Sequence, residues 1–263
     1  MKVLVVDACW RGAAGTGSPT AVVDDDAGFA DADRARVPLS AGTSHAVFLD
    51  RTDPGSVGLR FFTAAGELPA CGHGTLAALA VLESLDGRDE WRLRAGGRVF
   101  LGGIGADGPW FDAGTTGHRA FPEPGPALAA LGAVAAGPVL AAGTARERLL
   151  IPVRPEALEG LRPDFAALKA ACDAAGLLGC FVYAEVRERW FAARMFAPSI
   201  GVDEDVANAN SAAALAGALV AAAPVRVVVS MGGGLGSPSR IRAEAFPGGG
   251  VRLSGRVGPA RVV

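Results

Sequence analysis

The sequence predicts an α+β fold of two similar lobes, each a mostly antiparallel or mixed sheet curled around one long helix. A pattern of strand, polar turn and Ala/Leu-rich helix occurs twice, with offsets of 134, 137 and 136 residues between matched positions. A near-constant offset indicates an internal duplication. Short Val/Leu-rich strands with few helical crossovers surround each copy, which favours antiparallel or mixed sheets. The matched residues are Arg60 and Arg194, Glu67 and Glu204, and Thr75 and Ser211.

The composition fits a globular protein with a sizeable core. Of the 263 residues 50% are apolar, and 25 basic against 27 acidic residues give a net charge of −2. No basic stripe with interleaved aromatic residues occurs, which argues against a nucleic-acid partner. No uncharged apolar run reaches membrane-spanning length, and the first apolar run is too short for a signal peptide. We therefore expect a cytoplasmic protein with no membrane partner.

The first half is predicted to form an N-terminal lobe, residues 1–114. One helix, from about Gly72 to Leu85, lies between four earlier strands and three later ones. The strands are expected at 3–6, 20–23, 45–49, 57–63, 91–95, 97–101 and 108–112. Residues 115–124 are rich in Gly and Pro and show no periodicity, so we interpret them as the linker between the lobes.

The second half, residues 125–263, repeats the scheme as a C-terminal lobe. Helices are expected at 164–175 and 211–222, and the extreme C-terminal strand can pack back on the first lobe. The strands are expected at 148–153, 179–185, 190–196, 225–230, 240–245 and 250–257. Two duplicated lobes can face each other across a cleft, where both helix N-termini would direct N–H groups at one small ligand.

The turn before the first long helix reads Cys71-Gly72-His73-Gly74-Thr75. The two glycines let the backbone approach a ligand closely. His73 and Thr75 place an imidazole and a hydroxyl at the N-terminus of the helix. The positive end of a helix favours a thiolate, but this effect is small, so a reactive Cys71 needs a further cation that His73 can supply.

The matching turn of the second half carries acids and amides. Asp203, Glu204 and Asp205 precede Asn208, Asn210 and Ser211 at the start of the next helix. Helix capping explains part of this run, because Asp, Asn and Ser are preferred caps. It does not explain all of it, so we expect at least one of Asp205, Asn208 and Asn210 to contact the substrate.

The other cysteines show no metal-binding pattern. Cys9, Cys172 and Cys180 form no CxxC pair with Cys71 or with each other, and with three histidines no spacing typical of zinc ligands occurs. We expect these three to be small buried residues in a reducing compartment.

Several short motifs follow one another over nearly the whole chain. They are Gly17 to Val23, Arg60 to Thr63, Glu67-Leu68 with Cys71 to Thr75, Arg162 to Asp164, Ala193 to Pro198, Gly201 with Glu204-Asp205, Gly236 to Arg240, and Val251 to Val263. In this combination and order the chain resembles the PhzF-like isomerases of the phenazine-biosynthesis family, which share the diaminopimelate-epimerase fold.

The resemblance implies two pseudo-symmetric diaminopimelate-epimerase-like lobes with the active site between them, no metal, no organic cofactor and commonly a homodimer. It implies proton transfer on a small carboxylate or amino-acid-derived metabolite, as in an isomerase or epimerase of specialised metabolism. Asp205 and His73 would act in catalysis. The residues implied to bind substrate are Ser18, Gly72, Gly74, Thr75, Asn208, Ala209, Asn210 and Ser211.

The chain departs from the family at the usual base. Where the family has Ser-Glu-Thr, with Glu as general acid and base, this chain reads Thr43-Ser44-His45, which puts Ser44 at the Glu position. Serine is a poor base without a partner. His45 titrates in the right range, but adjacent strand residues point to opposite faces, so we expect His45 to face away if Ser44 faces the site.

The family's Thr-Gly-Ser anion cradle is replaced as well. Here it reads Asn208-Ala209-Asn210, Ser18 stands where the first motif usually has Asn, and Asp205 is retained.

Three catalytic hypotheses remain. Cys71 is the base, with Asp205 or His73 as the other proton carrier, since related racemases use a cysteine at this position. Alternatively, His73 and Asp205 carry the proton without a Glu. In the third, proton shuttling is lost, and the chain is a repurposed cyclase or a non-catalytic small-molecule binder.

Overall fold

The structure is a computed structural model that describes residues 2–24, 28–143 and 146–263. The chain divides into two compact units. The first comprises the chain up to Ala113 together with Arg252–Val263, and the second comprises Gly114–Val251. Within the described residues, every helix is too short or too polar to cross a membrane.

The first unit is built on strands and one long helix. Its elements are β1 (Val3–Ala8), β2 (Ser18–Asp24), α1 (Asp31–Arg34), α2 (Val37–Ser40), β3 (His45–Asp50), β4 (Val57–Thr63), β5 (Gly66–Leu68), α3 (Gly72–Asp86), β6 (Glu90–Ala95), β7 (Arg98–Gly105), β8 (Gly108–Thr115), β17 (Gly250–Ser254) and β18 (Arg261–Val262). β8 and β17 are the two strands along which the chain passes from one unit to the other.

The sheet of the first unit is mixed. β1 pairs antiparallel with β18 and β2, β2 parallel with β3, and β3 antiparallel with β4. β4 continues parallel to β6, and β6, β7 and β8 form an antiparallel meander. The short β5 returns from β4 as a hairpin and leads the chain to the start of α3.

Helix α3 is the central helix of this unit. It lies against β1, β2, β3, β4 and β7. Almost all of its residues from Gly72 to Leu82 are buried, which explains why the sequence has no amphipathic stripe. The helix ends at Gly87, whose left-handed φ of 64° is one that glycine adopts without strain. The predicted helix from Gly72 to Leu85 is thus confirmed to within one residue.

The second unit repeats this plan. Its elements are β9 (Gly117–Ala120), α4 (Gly125–Leu131), β10 (Leu140–Gly143), β11 (Arg148–Pro152), α5 (Pro155–Leu158), α6 (Phe165–Ala174), β12 (Cys180–Arg187), β13 (Trp190–Ala197), a 3₁₀ turn (Pro198–Ile200), β14 (Val202–Asp205), α7 (Ala209–Leu219), β15 (Val225–Met231), a second 3₁₀ turn (Gly233–Leu235) and β16 (Ser239–Ala245).

Pairing in the second unit follows the same alternation. β10 and β11 are antiparallel, β11 and β12 parallel, β12 and β13 antiparallel, β13 and β15 parallel, and β15 and β16 antiparallel. This repeats the series from β1 to β7, and β14 matches β5 as the hairpin arm before the central helix. The duplication inferred from the sequence is therefore visible in the strand pairing.

The same ion pair braces both hairpins. Arg60 meets Glu67 through two hydrogen bonds of 2.8 and 2.6 Å, and Arg194 meets Glu204 through two of 2.8 Å. Arg194 also donates to the carbonyl oxygens of Leu158 and Leu161. The repeated Arg and Glu thus fix the angle at which each strand delivers the chain to its central helix.

One stretch differs from the sequence prediction. Residues 115–124, expected to be a linker, contain strand β9, which pairs antiparallel with β10, and unit two begins at Gly114. All four residues of β9 are exposed, so the strand has no apolar alternation to reveal it. Backbone pairing along the edge of the sheet holds it in place.

Candidate active site

Three predicted site residues of the first unit lie together at the start of α3. One side-chain nitrogen or sulfur atom from each of His45, Cys71 and His73 lies within 4.8 Å of the other two. All three side chains are buried. Cys71 caps the helix, His73 is its second residue, and His45 is the first residue of β3. Because α3 packs across β3, the two histidines meet although 28 residues separate them.

Cys71 and His73 are in direct contact. The Sγ atom of Cys71 lies 3.4 Å from Nε2 of His73 and accepts a hydrogen bond from the backbone N–H of Gly74, also at 3.4 Å. A Cβ at residue 74 would lie 3.0 Å from the Phe61 ring and 3.1 Å from the Cys71 sulfur. Glycine is therefore needed at this position to let the helix start approach the thiol closely.

The ring of His45 packs against the ring of His73 and holds it in place. The rings of His45 and His73 meet edge to face, with centroids 4.4 Å apart and planes at 87°. Nδ1 of His45 lies 2.9 Å from the hydroxyl oxygen of Ser44, and the hydroxyl of Thr43 donates to the His45 carbonyl at 3.0 Å. The start of β3 is thus held in a defined position against α3.

Of the two candidates for the usual base position, His45 faces the cluster. Its side chain is buried, whereas Ser44 is exposed. The two residues point to opposite faces as expected, and His45 rather than Ser44 is the one that points inward. Ser44 contributes through its hydrogen bond to the His45 ring.

The remaining predicted residues of this unit are buried around the cluster or in the sheet. Thr75 directs its hydroxyl to the Cys71 carbonyl at 2.9 Å, which stabilises the first turn of α3. Ser18 is the first residue of β2, pairs with Ala8, and is 1% exposed.

The matching turn of the second unit is ordered by its own side chains. Asp205 accepts hydrogen bonds from the Ala207 N–H at 3.3 Å and the Asn208 side-chain amide at 3.0 Å. Asn208 in turn caps α7, because its Oδ1 accepts from the Ser211 N–H at 2.9 Å. Ala209 is buried in the first turn of the helix.

A buried arginine at this turn was not singled out from the sequence. Arg148 opens β11, is 4% exposed, and donates to the carbonyl oxygen of Asn210 at 3.2 Å. Among the described residues no carboxylate pairs with it, and its Nε has no hydrogen-bond partner there. Burial lowers the pKa of its guanidinium to about 10. A charged residue opening an otherwise apolar strand was the only available sequence signal.

Known proteins share this chain's sequence pattern and fold. A family model described as phenazine biosynthesis-like protein matches residues 8–96 and 124–256. A Deinococcus radiodurans protein named as an uncharacterized isomerase is 30% identical, over 88% of this chain and 82% of the relative.

Solved structures of other proteins share the fold of this chain. A predicted epimerase from Pseudomonas aeruginosa is 28% identical, with a TM-score of 0.81 over 100% of this chain and 96% of its own. A PhzF-family phenazine biosynthesis protein from Bacillus anthracis is 15% identical, with a TM-score of 0.85 over 100% and 98% of the two chains. The family model covers well over half of the residues, so this chain belongs to the phenazine biosynthesis-like (PhzF) family.

Proposed function

We propose that the protein is a cofactor-independent isomerase that moves a proton on a small carboxylate, with Cys71 as the base and His73 as the imidazole that activates it. The general class is supported by the relatives named as isomerase and predicted epimerase. The observation that carries the finer assignment is the contact of 3.4 Å between the Cys71 thiol and His73 Nε2 at the start of a 15-residue helix.

The chemistry needs a base that acts at a carbon next to a carboxylate. A cysteine is most reactive as a thiolate, and a neighbouring imidazolium together with a helix N-terminus stabilises that form. In the proposed reaction Cys71 takes the proton, and the electron pair of the C–H bond spreads into the carboxylate. Either the second proton carrier then donates a proton to the opposite face, or Cys71 returns its proton to another carbon. Substrate and product are isomers, so no electron is gained or lost.

The start of α3 also suits the substrate's charge. Backbone N–H groups at the first turn of a long helix, together with its dipole, favour a carboxylate. The edge-to-face contact with His45 keeps the His73 ring beside the thiol. In this proposal His45 is a positioning residue, and Ser44 fixes its ring.

Asp205 stays the predicted second proton carrier. Its retention in the family motif supports this role, and its hydrogen bonds to the 207–208 segment give it a structural role as well. A test of Asp205 must therefore separate a loss of catalytic activity from a loss of the folded turn at residues 205–208.

The experiment that tests the function follows solvent deuterium. The protein is incubated in D₂O with a panel of amino acids and small unsaturated carboxylic acids, and exchange at carbon is read by ¹H NMR. Time-dependent exchange with at least one compound is expected. Compounds that raise the melting temperature without any exchange would instead identify a non-catalytic binder.

A further inference from the structure

The buried cluster at the start of α3 has the composition of a transition-metal site. It offers one thiol and two imidazoles, and these are the ligands that zinc and similar ions prefer. The sequence gives no hint of this, because two ligands lie two residues apart in one turn and the third comes from a different strand. Only the packing of α3 across β3 brings them together.

The distances suit tetrahedral coordination. Zn–S bonds of about 2.3 Å and Zn–N bonds of about 2.0–2.1 Å at tetrahedral angles separate neighbouring ligand atoms by roughly 3.3–3.6 Å. The separation of 3.4 Å between Cys71 Sγ and His73 Nε2 already has this value. One nitrogen or sulfur atom from each of the three residues lies within 4.8 Å of the other two, which is close to the spacing that tetrahedral coordination needs.

An orienting hydrogen bond accompanies the ligands. Metal-bound histidines almost always use their second ring nitrogen to hold a polar partner. Nδ1 of His45 contacts the Ser44 hydroxyl at 2.9 Å, which leaves Nε2 of the ring as the nitrogen available for coordination. Ser44 is exposed, so it connects the buried cluster to the surface.

We propose that His45, Cys71 and His73 bind a single Zn²⁺-class ion, and that the bound ion blocks proton transfer by this cluster. Binding forms one metal–sulfur bond and two metal–nitrogen bonds and releases the Cys71 thiol proton to solvent. Three protein ligands leave the fourth position to water. The inhibition rests on the proposed function, whereas the binding does not.

Cobalt(II) tests the binding without any turnover. Titration of the intact protein with Co²⁺ is expected to give a thiolate-to-cobalt charge-transfer band and tetrahedral visible bands that saturate at one equivalent. Cys71→Ser should lose the charge-transfer band, and His73→Gln should lose the tetrahedral bands. The matched control is Cys172→Ser, which alters a buried thiol that lies outside the cluster and contacts Cys180 at 3.9 Å.

Ser44→Ala gives a finer test, because Ser44 is exposed and is not a ligand. Loss of an orienting partner typically weakens metal binding about 10–100-fold, and this range is expected for Ser44→Ala. Absence of a thiolate band in the unmutated protein, or its loss in Cys172→Ser rather than in Cys71→Ser, would overturn the site.

Two measurements on the unmutated protein complete the test. Zn²⁺ should protect Cys71, and not Cys172, from alkylation read by mass spectrometry. Zn²⁺ should also suppress deuterium exchange at one equivalent. If exchange persists while the cobalt spectrum shows the site filled, the inhibition is refuted and the binding stands. If no compound undergoes exchange, the proposed function fails, and the spectrum still decides the site.

Discussion

Nε2 of His73 lies 3.4 Å from Sγ of Cys71, inside the first turn of the helix that both residues begin. This contact sets Cys71 apart from the other thiols. Cys172 and Cys180 contact each other, and no histidine contacts them among the described residues. Cys71 is 5% exposed, against 0–1% for the other three cysteines. The proposed proton transfer depends on this pair.

The first prediction concerns thiol reactivity. Iodoacetamide should modify Cys71 faster than any other cysteine, because a nearby imidazole favours the reactive thiolate and the side chain is the most accessible of the four. His73→Asn should slow this modification about tenfold or more. Site-resolved mass spectrometry measures both rates. An unchanged Cys71 rate in His73→Asn, with Cys172 as the internal reference, would contradict the pairing.

The second prediction concerns Asp205. Asp205→Asn should lower turnover about 10²–10⁴-fold, the range typical of a lost general acid or base. The fold should persist, because the Asn oxygen can still accept one of the two hydrogen bonds from the 207–208 segment, and loss of the other costs only about 1–3 kcal/mol. Circular dichroism and kinetics on one sample separate the two effects. The control is Asp203→Asn on the same strand, which is exposed and should retain activity.

The third prediction compares the two ion pairs that the duplication repeats, Arg194 with Glu204 and Arg60 with Glu67. Glu204→Ala should lower the free energy of unfolding by about 3 kcal/mol or more, since it leaves the largely buried Arg194 unpaired. Glu67→Ala removes the matching partner of Arg60, but that pair is about 40% exposed and Arg60 keeps Asp31 as a second partner, so the loss should be only about 0–1 kcal/mol. Urea unfolding of both variants checks the difference. Equal losses would mean that burial does not set the strength of these pairs.

The fourth prediction concerns the buried Arg148. Arg148→Met should leave the protein as stable at pH 7 or raise the free energy of unfolding by about 1–3 kcal/mol, because it removes a buried cation without a described counter-charge. Urea unfolding measures the change. A loss above about 1 kcal/mol would show that the guanidinium makes a net favourable contribution.

The contribution of Arg148 to the free energy of unfolding should change with pH in a definite direction. Burial lowers the pKa of Arg148 to about 10, below the ordinary value of a guanidinium. Between these values the unfolded chain binds more protons, so the Arg148 contribution should make the native protein more stable as pH rises from about 10. Below pH 10 the penalty is constant. The difference in unfolding free energy between Arg148→Met and the parent should therefore shrink above pH 10 and stay constant below it.

The sequence was sufficient to predict the architecture, because its main signals are local. Helix α3 starts at the predicted residue, where Cys71 caps it before a long apolar run. Helix α7 starts at Ala209, two residues earlier than predicted, because Asn208 caps it and Ser211 already lies inside the helix. Several residues at this turn are good caps, and sequence alone does not choose among them.

Features that depend on packing were not predictable in the same way. Strand alternation says that Ser44 and His45 point to opposite faces, but not which face α3 covers. Only the packing of α3 on β3 shows that His45 joins Cys71 and His73. The contact of Arg148 with the α7 turn joins residues 62 positions apart, and no local pattern encodes that distance.

The most direct test of the central claim is the rate of solvent-deuterium exchange into a turned-over substrate by the parent protein, Cys71→Ser and Cys172→Ser. If Cys71 is the base, exchange should fall about 10²-fold or more in Cys71→Ser, the scale of a lost acid–base group, and should persist in Cys172→Ser. Exchange at the parent rate in folded Cys71→Ser would contradict the claim that this thiol carries the proton.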